Sequence, residues 1–191
     1  MKVYKNVFNA ITKPESLFLA WQRFRKGKSK RKDVARFEWS LEQNIFELHQ
    51  DLVSETYRHG SYSDFFIADP KLRHIHKSMV CDRVVHHAVY QVLYPMFDQS
   101  FIFDSYSCRL GKGTHASVNR LKVFVRKVSR NYTAPCFALK FDIKKFFDSV
   151  DHETLLDILN QKIFCTKTNC LLVEIVESFS KFQTVGGGVV T

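Results

Sequence analysis

Apolar residues recur at intervals of three or four through the first third of the chain. Pro14-Glu15-Ser16 opens a helix with Leu17, Phe18, Ala20, Trp21 and Phe24 on one side, and Gly27 breaks it. From Arg31 to Tyr57 the residues Val34, Phe37, Leu41, Ile45, Leu48 and Leu52 keep that spacing. This predicts an amphipathic helix that stops at Arg58-His59-Gly60. The pattern then changes: Asp64–Pro70 and Leu72–Lys77 read as two strands around a Pro-Lys turn. Helical spacing returns from Asp82, where Val84, Val85, Ala88, Val89, Val92, Leu93, Met96 and Phe97 predict a core face, with Pro95 kinking or closing the helix. A polar, glycine-bearing loop from Ser105 to Ala116 leads into a helix capped by Thr114 and carrying Val118, Leu121, Phe124, Val125 and Val128. After Pro135, Cys136–Asp142 reads as a buried strand. Alternation turns Phe137, Leu139 and Phe141 to the core and Asp142 to a cleft. Ser149 or Asp151 caps a helix with Leu155, Leu156, Ile158 and Leu159, and a last helix runs from about Asn169 to Phe182. Helices, a two-strand ribbon, helices, then a strand flanked by helices make an α+β pattern.

Composition points to a class of partner only through charge, and it excludes disorder. Hydrophobic content of 45% with 25% charged residues suits a folded chain. Lys plus Arg is 29 against 19 Asp plus Glu, a net charge of +10. Such a balance favours a polyanionic partner, nucleic acid before an anionic membrane surface. The 18 Phe and 7 Tyr suit base stacking beside phosphate contact, although most of the Phe residues are expected in the core. The five cysteines are odd in number and form no CxxC pair, which reads as reduced thiols. No signal-peptide pattern and no bilayer-length apolar run occur. The expectation is a soluble, cytoplasmic protein with no membrane partner.

Two features carry candidate chemistry. Between Arg23 and Lys32, seven of ten residues are basic: Arg23, Arg25, Lys26, Lys28, Lys30, Arg31 and Lys32. The run reads as an RNA-binding stretch or, equally, as a solvated loop; the overall charge tilts the reading to RNA. The second is Phe141-Asp142-Ile143-Lys144-Lys145-Phe146-Phe147-Asp148. An acid at a strand end beside two aromatics is placed to hold Mg²⁺ next to a nucleotide, because Mg²⁺ takes one or two carboxylates plus substrate phosphates. Alone, such an Asp is more often a turn or cap residue. The neighbouring histidines His74 and His76, and His86 and His87, are poorly disposed for zinc. Arg109 and His115 read as braces of their loop. Asp82-Arg83 reads as a structural ion pair or cap, and Asp148 and Asp151 as caps of the following helix.

Three blocks, in order, resemble those of a reverse transcriptase of the bacterial retroelement kind, the group that includes group II intron proteins, retron enzymes and diversity-generating retroelements. Lys71-Leu72-Arg73-His74-Ile75 with Asp82-Arg83-Val84-Val85-His86-His87-Ala88 resembles the first fingers block. Ser105 to Ala116 resembles the second, and Leu139 to His152 resembles the first palm block. The resemblance implies fingers and a partial palm behind a helical extension: residues 1–62 as the basic extension, 63–132 as fingers and 133–191 as the start of the palm. It implies RNA-directed DNA polymerase activity, with template RNA, primer and deoxynucleoside triphosphates as partners and Mg²⁺ as cofactor. Asp142 would be the first metal-binding catalytic aspartate, with the Ile143 carbonyl as a further metal contact. Lys71 and Arg73 would reach the incoming triphosphate, the amides of Lys145 and Phe146 would face it, and Phe147 would exclude a ribose 2′-OH.

The sequence departs from the family in its later blocks. No Tyr-x-Asp-Asp occurs among the 191 residues, and Thr184–Thr191 keeps only the glycines of the second palm block. The resemblance therefore implies that the rest of the palm and the thumb are supplied in cis or in trans, and that this polypeptide alone is inactive. The alternative reading is a non-catalytic RNA-binding module that keeps the fingers fold. A metal-dependent nuclease built on Asp142 is a third.

Overall fold

The computed structural model describes residues 3–186, without the side chains of Asp148 and of residues 180–186. The elements are α1 (Val7–Thr12), α2 (Pro14–Arg25), α3 (Lys32–Trp39), α4 (Leu41–Val53), β1 (Ser63–Ala68), β2 (Leu72–Lys77), α5 (Val80–Asp98), α6 (Thr114–Val128), α7 (His152–Asn160) and α8 (Thr166–Gly186). The class is α+β, with helices and a two-stranded antiparallel sheet. The chain divides into two packing units. The first holds residues 1–93 and 150–191, the second residues 94–149, so the boundary falls within α5.

The first unit has a true core. Trp21 and Phe24 of α2 are buried, Phe37 of α3 lies 5.0 Å from the Trp21 ring, and His87 of α5 meets Phe24 edge-on at 5.7 Å. Val34, Ile45, Leu48, Leu52, Val84, Val85 and Ala88 close around them. These are the positions at three- and four-residue spacing, so the periodicity had located the core faces. The unit also joins distant parts of the sequence. Tyr4 forms a parallel bridge with Ile163: its N–H donates to the Lys162 carbonyl at 2.9 Å and its carbonyl accepts from the Phe164 N–H at 3.0 Å.

Several boundaries differ from the sequence pattern. The helix expected over Arg31–Tyr57 is broken at Ser40 (φ −121°, ψ 46°) into α3 and α4. The Asn44 side chain donates to the Phe37 carbonyl at 2.8 Å, satisfying an end group that the break exposes. Helix α4 stops at Val53, not at Gly60. Glu55 adopts a left-handed conformation (φ 62°), and the N–H groups of Thr56 and Tyr57 both turn back to the Asp51 carbonyl. Gly60 instead makes room for a neighbour, since a Cβ there would lie 2.5 Å from the Met79 sulfur. Pro95 lies inside α5 and does not end it. Thr114 is the first residue of α6, not its cap, which is Gly113. Asp151 does cap α7, accepting from the Thr154 N–H at 2.7 Å. Arg83 pairs with Asp33 at 2.6 Å, so the expected Asp82–Arg83 pair is absent.

The second unit is built differently. Among the described residues, every buried apolar side chain belongs to the first unit. Helix α6 buries none of its residues, so the face of Val118, Leu121, Phe124 and Val128 is open rather than core. Polar ties define the loop before it. Arg109 donates to Asp98 Oδ1 at 2.7 Å and to the Ile102 carbonyl at 2.9 Å, bracing the loop as expected. Tyr94 Oη accepts from the Leu110 N–H at 2.8 Å, and Arg120 pairs with Asp104 at 2.8 Å. The strand expected over Cys136–Asp142 does not form. The segment has no ladder partner among the described residues, and Phe137, Leu139 and Phe141 are 94%, 87% and 82% exposed. A strand exists only through its neighbours, since its backbone donors and acceptors point sideways.

Replacing Trp21 by Ala removes the ring on which α2 and α3 meet. The expected cost is about 3–5 kcal/mol of unfolding free energy, read from urea denaturation.

Candidate functional site

The β1–β2 ribbon carries one group of candidates. Its register pairs Ile67 with Arg73, Phe66 with His74 and Asp64 with His76. Arg73 therefore shares a face with Ile75 and Lys77, while His74 and His76 occupy the other. The second face is filled: His74 stacks on Phe66 at 4.4 Å and lies 2.9 Å from Asp64 Oδ2, and His76 meets Phe179 of α8 at 4.9 Å. The first face is open only towards the turn, since Ile75 and Lys77 at its foot are half-buried and Lys77 pairs with Asp33. Arg73, and Lys71 in the turn, are exposed and have no ion-pair partner among the described residues. Two cations on a projecting ribbon suit contact with phosphates.

Asp142, Ile143, Lys145, Phe146 and Phe147 form a second, local group in the other packing unit. Asp142 is exposed, and its Oδ1 accepts from the Ile143 N–H at 3.0 Å. The chain then turns sharply. Lys145 is left-handed (φ 52°), and the Ser149 N–H reaches the carbonyls of Lys145 and Phe146 at 3.0 and 3.1 Å. This bend throws the Phe146 and Phe147 rings into an edge-on pair at 5.3 Å, with Phe147 88% exposed. Neither ring is core. The arrangement leaves a carboxylate and an aromatic face open to water on one short turn. It holds one carboxylate, enough to contribute a ligand to a divalent cation but not to make a two-metal site by itself. Among the described residues no cluster of three His, Cys, Asp or Glu side chains has the disposition of a metal site.

The basic run between α2 and α3 divides into two sets. Arg25 pairs with Glu38 at 2.5 Å, Arg23 donates to Gln91 at 3.3 Å, and Lys28 donates to the Phe24 carbonyl at 2.8 Å. Arg25 and Arg23 tie the end of α2 to α3 and α5, and Lys28 ties the loop back to α2. Lys26, Lys30, Arg31 and Lys32 are exposed, with no ion pair among the described residues, and they leave a positive surface over one connection. No helix among the described residues is long and apolar enough to cross a membrane.

One polar cluster was not foreseen. Asp82, at the start of α5, is fully buried. Its Oδ1 accepts from Tyr57 Oη at 2.8 Å and from the Gly60 N–H at 3.3 Å, and Oδ2 lies 3.9 Å from His59 Nδ1. His59 stacks between Tyr62 at 4.9 Å and His86 at 5.2 Å, and its N–H donates to Glu174 of α8 at 3.0 Å. Burial and the Asp82 carboxylate push the Tyr57 hydroxyl above its ordinary range, and the same two causes raise Cys81 to about 11. Burial, then the neighbouring His59, lowers His86 to about 4. The signal was present in the sequence: Asp82 falls on the same helical stripe as Val85 and Val89. This cluster ties the loop before β1 to α5 and α8, so it sets the root of the ribbon that bears Arg73.

No family model matches the chain. Over 185 residues it is 23% identical to the group II intron-encoded protein LtrA of Lactococcus lactis subsp. cremoris, covering 93% of this chain and 29% of LtrA. The chain is similar, at a distance, to a group II intron-encoded protein. The LtrA of strain MG1363 matches with the same figures. The similarity runs far beyond the three sequence blocks and takes in the packed N-terminal helices. The chain spans less than a third of the length of these relatives.

The His86 imidazole gives a pH signature. It stays neutral in the fold down to about pH 4, whereas the unfolded chain takes up the proton near 6.5. The folded value is depressed, so stability from this group is complete above pH 6.5 and is lost as pH falls towards 4. Urea denaturation across that window should show a decline approaching 1.4 kcal/mol per pH unit, and His86→Gln should remove this part of the slope.

Proposed function

We propose that this chain is the fingers and the first part of the palm of a reverse transcriptase of the group II intron type, with the basic connection between α2 and α3 as its RNA-binding extension. The observation that carries the reading is the similarity to LtrA along nearly the whole chain, together with three family-like blocks in their expected order. In this reading residues 1–62, 63–132 and 133–191 are extension, fingers and start of palm. Template RNA, primer and deoxynucleoside triphosphates are the partners.

The chemistry assigned to the residues is what the resemblance implies at the matching positions. Asp142 provides one carboxylate to Mg²⁺, and the Ile143 carbonyl a neutral oxygen; when bound, the metal would neutralise the triphosphate and the leaving pyrophosphate. Arg73 and Lys71 hold phosphates as fork and point charge. The amides of Lys145 and Phe146 meet the triphosphate, and Phe147 presents a ring where a 2′-OH would otherwise sit. Phe137, Leu139 and Phe141 also fit this reading. Their alternate spacing and exposure are those of a palm strand awaiting its sheet, and covering each side chain is worth roughly 1.5–3 kcal/mol. The carboxylates missing from these residues would come with that sheet.

Two measurements test the reading. Fluorescence anisotropy should show single-stranded RNA binding by the 191-residue chain that weakens steeply with salt. Joint reversal of Lys26, Lys30 and Arg31 to Glu should reduce the salt slope by about one unit per lost phosphate contact. Primer extension should be at background for the chain alone. It should appear when a palm hairpin and thumb are supplied, and be lost again in Asp142→Ala. Robust extension by the chain alone, or persistence of supplied activity in Asp142→Ala, overturns the assignment.

A further inference from the structure

A cavity of about 630 Å³ opens between α3, the foot of the β1–β2 ribbon and the start of α5. It lies wholly within the first packing unit and shares no residue with the Asp142 turn. Its volume falls in the ~300–1,000 Å³ range of small-molecule sites.

The lining has three kinds of surface. Arg36, Lys77 and Arg83 supply positive charge against a single carboxylate, Asp33. Asp33 Oδ2 takes both Lys77 at 2.9 Å and Arg83 at 2.6 Å. Burial opposes ionisation of Asp33, but hydrogen bonds from those two cations bring it down to about 2, so the trio is fixed in place at neutral pH. Arg36 is exposed at the rim and has no ion-pair partner among the described residues, which leaves the recess net positive. Phe37 and Met79 give an apolar wall, and the residues Ser40, Ser61 and Ser78 place hydroxyls around it. The first residues of α5, Val80 and Cys81, are also in the wall, so the helix dipole adds the same sign.

We propose that this recess binds a nucleoside phosphate. The phosphate sits on Arg36 with Lys77 and Arg83, the base lies against Phe37 and Met79, and the hydroxyls meet the sugar. An inorganic anion would leave the apolar wall unused, and an apolar ligand would leave Arg36, and the excess of positive charge over Asp33, unanswered. A ligand with one anionic and one flat apolar end answers both, and two sources share that chemistry: a free mononucleotide, or one unstacked nucleotide of single-stranded RNA. The inference goes beyond the polymerase reading and does not depend on Asp142.

The test uses the full 191-residue chain with AMP and adenosine by calorimetry, and with a short fluorescein-labelled single-stranded RNA by anisotropy. Two charge reversals are compared: Arg36→Glu at the rim, and Lys5→Glu, exposed and away from the cavity. Both sites are on the surface, and a thermal melt checks that both variants fold. The expected result is binding of AMP but not adenosine, weakened about 10-fold by Arg36→Glu and within about 2-fold of wild type in Lys5→Glu. If AMP does not bind but RNA affinity falls about 10-fold in Arg36→Glu and not in Lys5→Glu, the nucleotide belongs to an RNA chain. If AMP does not bind and the two variants affect RNA equally, the recess is not a nucleotide site, while general RNA binding stands. Absence of any RNA binding would instead sink the RNA-binding part of the polymerase reading, and the AMP arm would then decide the recess alone.

Discussion

The buried carboxylate of Asp82 is the point on which the positioning of the first unit turns. A carboxylate in a protein interior is tolerated only if its oxygens find donors, since its loss of hydration is worth several kcal/mol. Here the donors come from the loop before β1 and both reach Oδ1, the Tyr57 hydroxyl and the Gly60 amide, while Oδ2 has only the His59 ring 3.9 Å away. The loop therefore cannot drift from α5 without stranding a charge. Its next residues carry the constraint onward. His59 is stacked between two rings and anchored to Glu174, and Tyr62 shares a hydrogen bond of 2.7 Å with Ser178. The ribbon begins one residue later. A pair of exposed cations at its tip is thus held by a network rooted in the core, which is how a flexible-looking projection acquires a defined direction.

The two packing units obey different physics. The first satisfies the main condition for a stable fold: apolar faces of α2, α4 and α5 close on one another, although Asp82 Oδ2, His86 Nε2 and Thr168 Oγ1 lie buried without a hydrogen-bond partner among the described residues. The second has helix α6 and the Arg109 loop, each locally well bonded, but little for them to enclose. Local hydrogen bonding can define a loop without giving it a core. Residues 94–149 therefore hold their shape through capping, ion pairs and turns, and their apolar groups remain at the surface.

Helical periodicity read the first unit well because burial and periodicity there are the same fact. Leu17, Trp21, Phe24, Ile45, Leu48 and Leu52 are both spaced and buried. The break at Ser40 was not legible, since it depends on the Asn44 side chain replacing a backbone partner. The end of α4 was misplaced because glycine is only one route to a left-handed residue; Glu55 takes it instead, while Gly60 answers to the approach of Met79. The Cys136–Asp142 segment shows the opposite failure. Alternation in a sequence records which side of a sheet each residue would face. It says nothing of whether neighbouring strands are present, and without them the same residues lie extended and wet. For the candidate site, the residue types were readable at Asp142, Arg73 and the basic run, but not that Arg23, Arg25 and Lys28 serve the fold. The buried Asp82 cluster was overlooked because its members are spread from Tyr57 to Glu174.

Phe137, Leu139 and Phe141 also bear on how such a polypeptide behaves in a cell. Apolar side chains on an extended, unpaired backbone are what chaperones bind and what seeds aggregates. Only the surplus of positive charge works against association. Held at high concentration, the isolated polypeptide is in a race between colloidal repulsion and β-pairing with its own copies. Adding salt, which screens the first and leaves the second intact, tips that race towards precipitation.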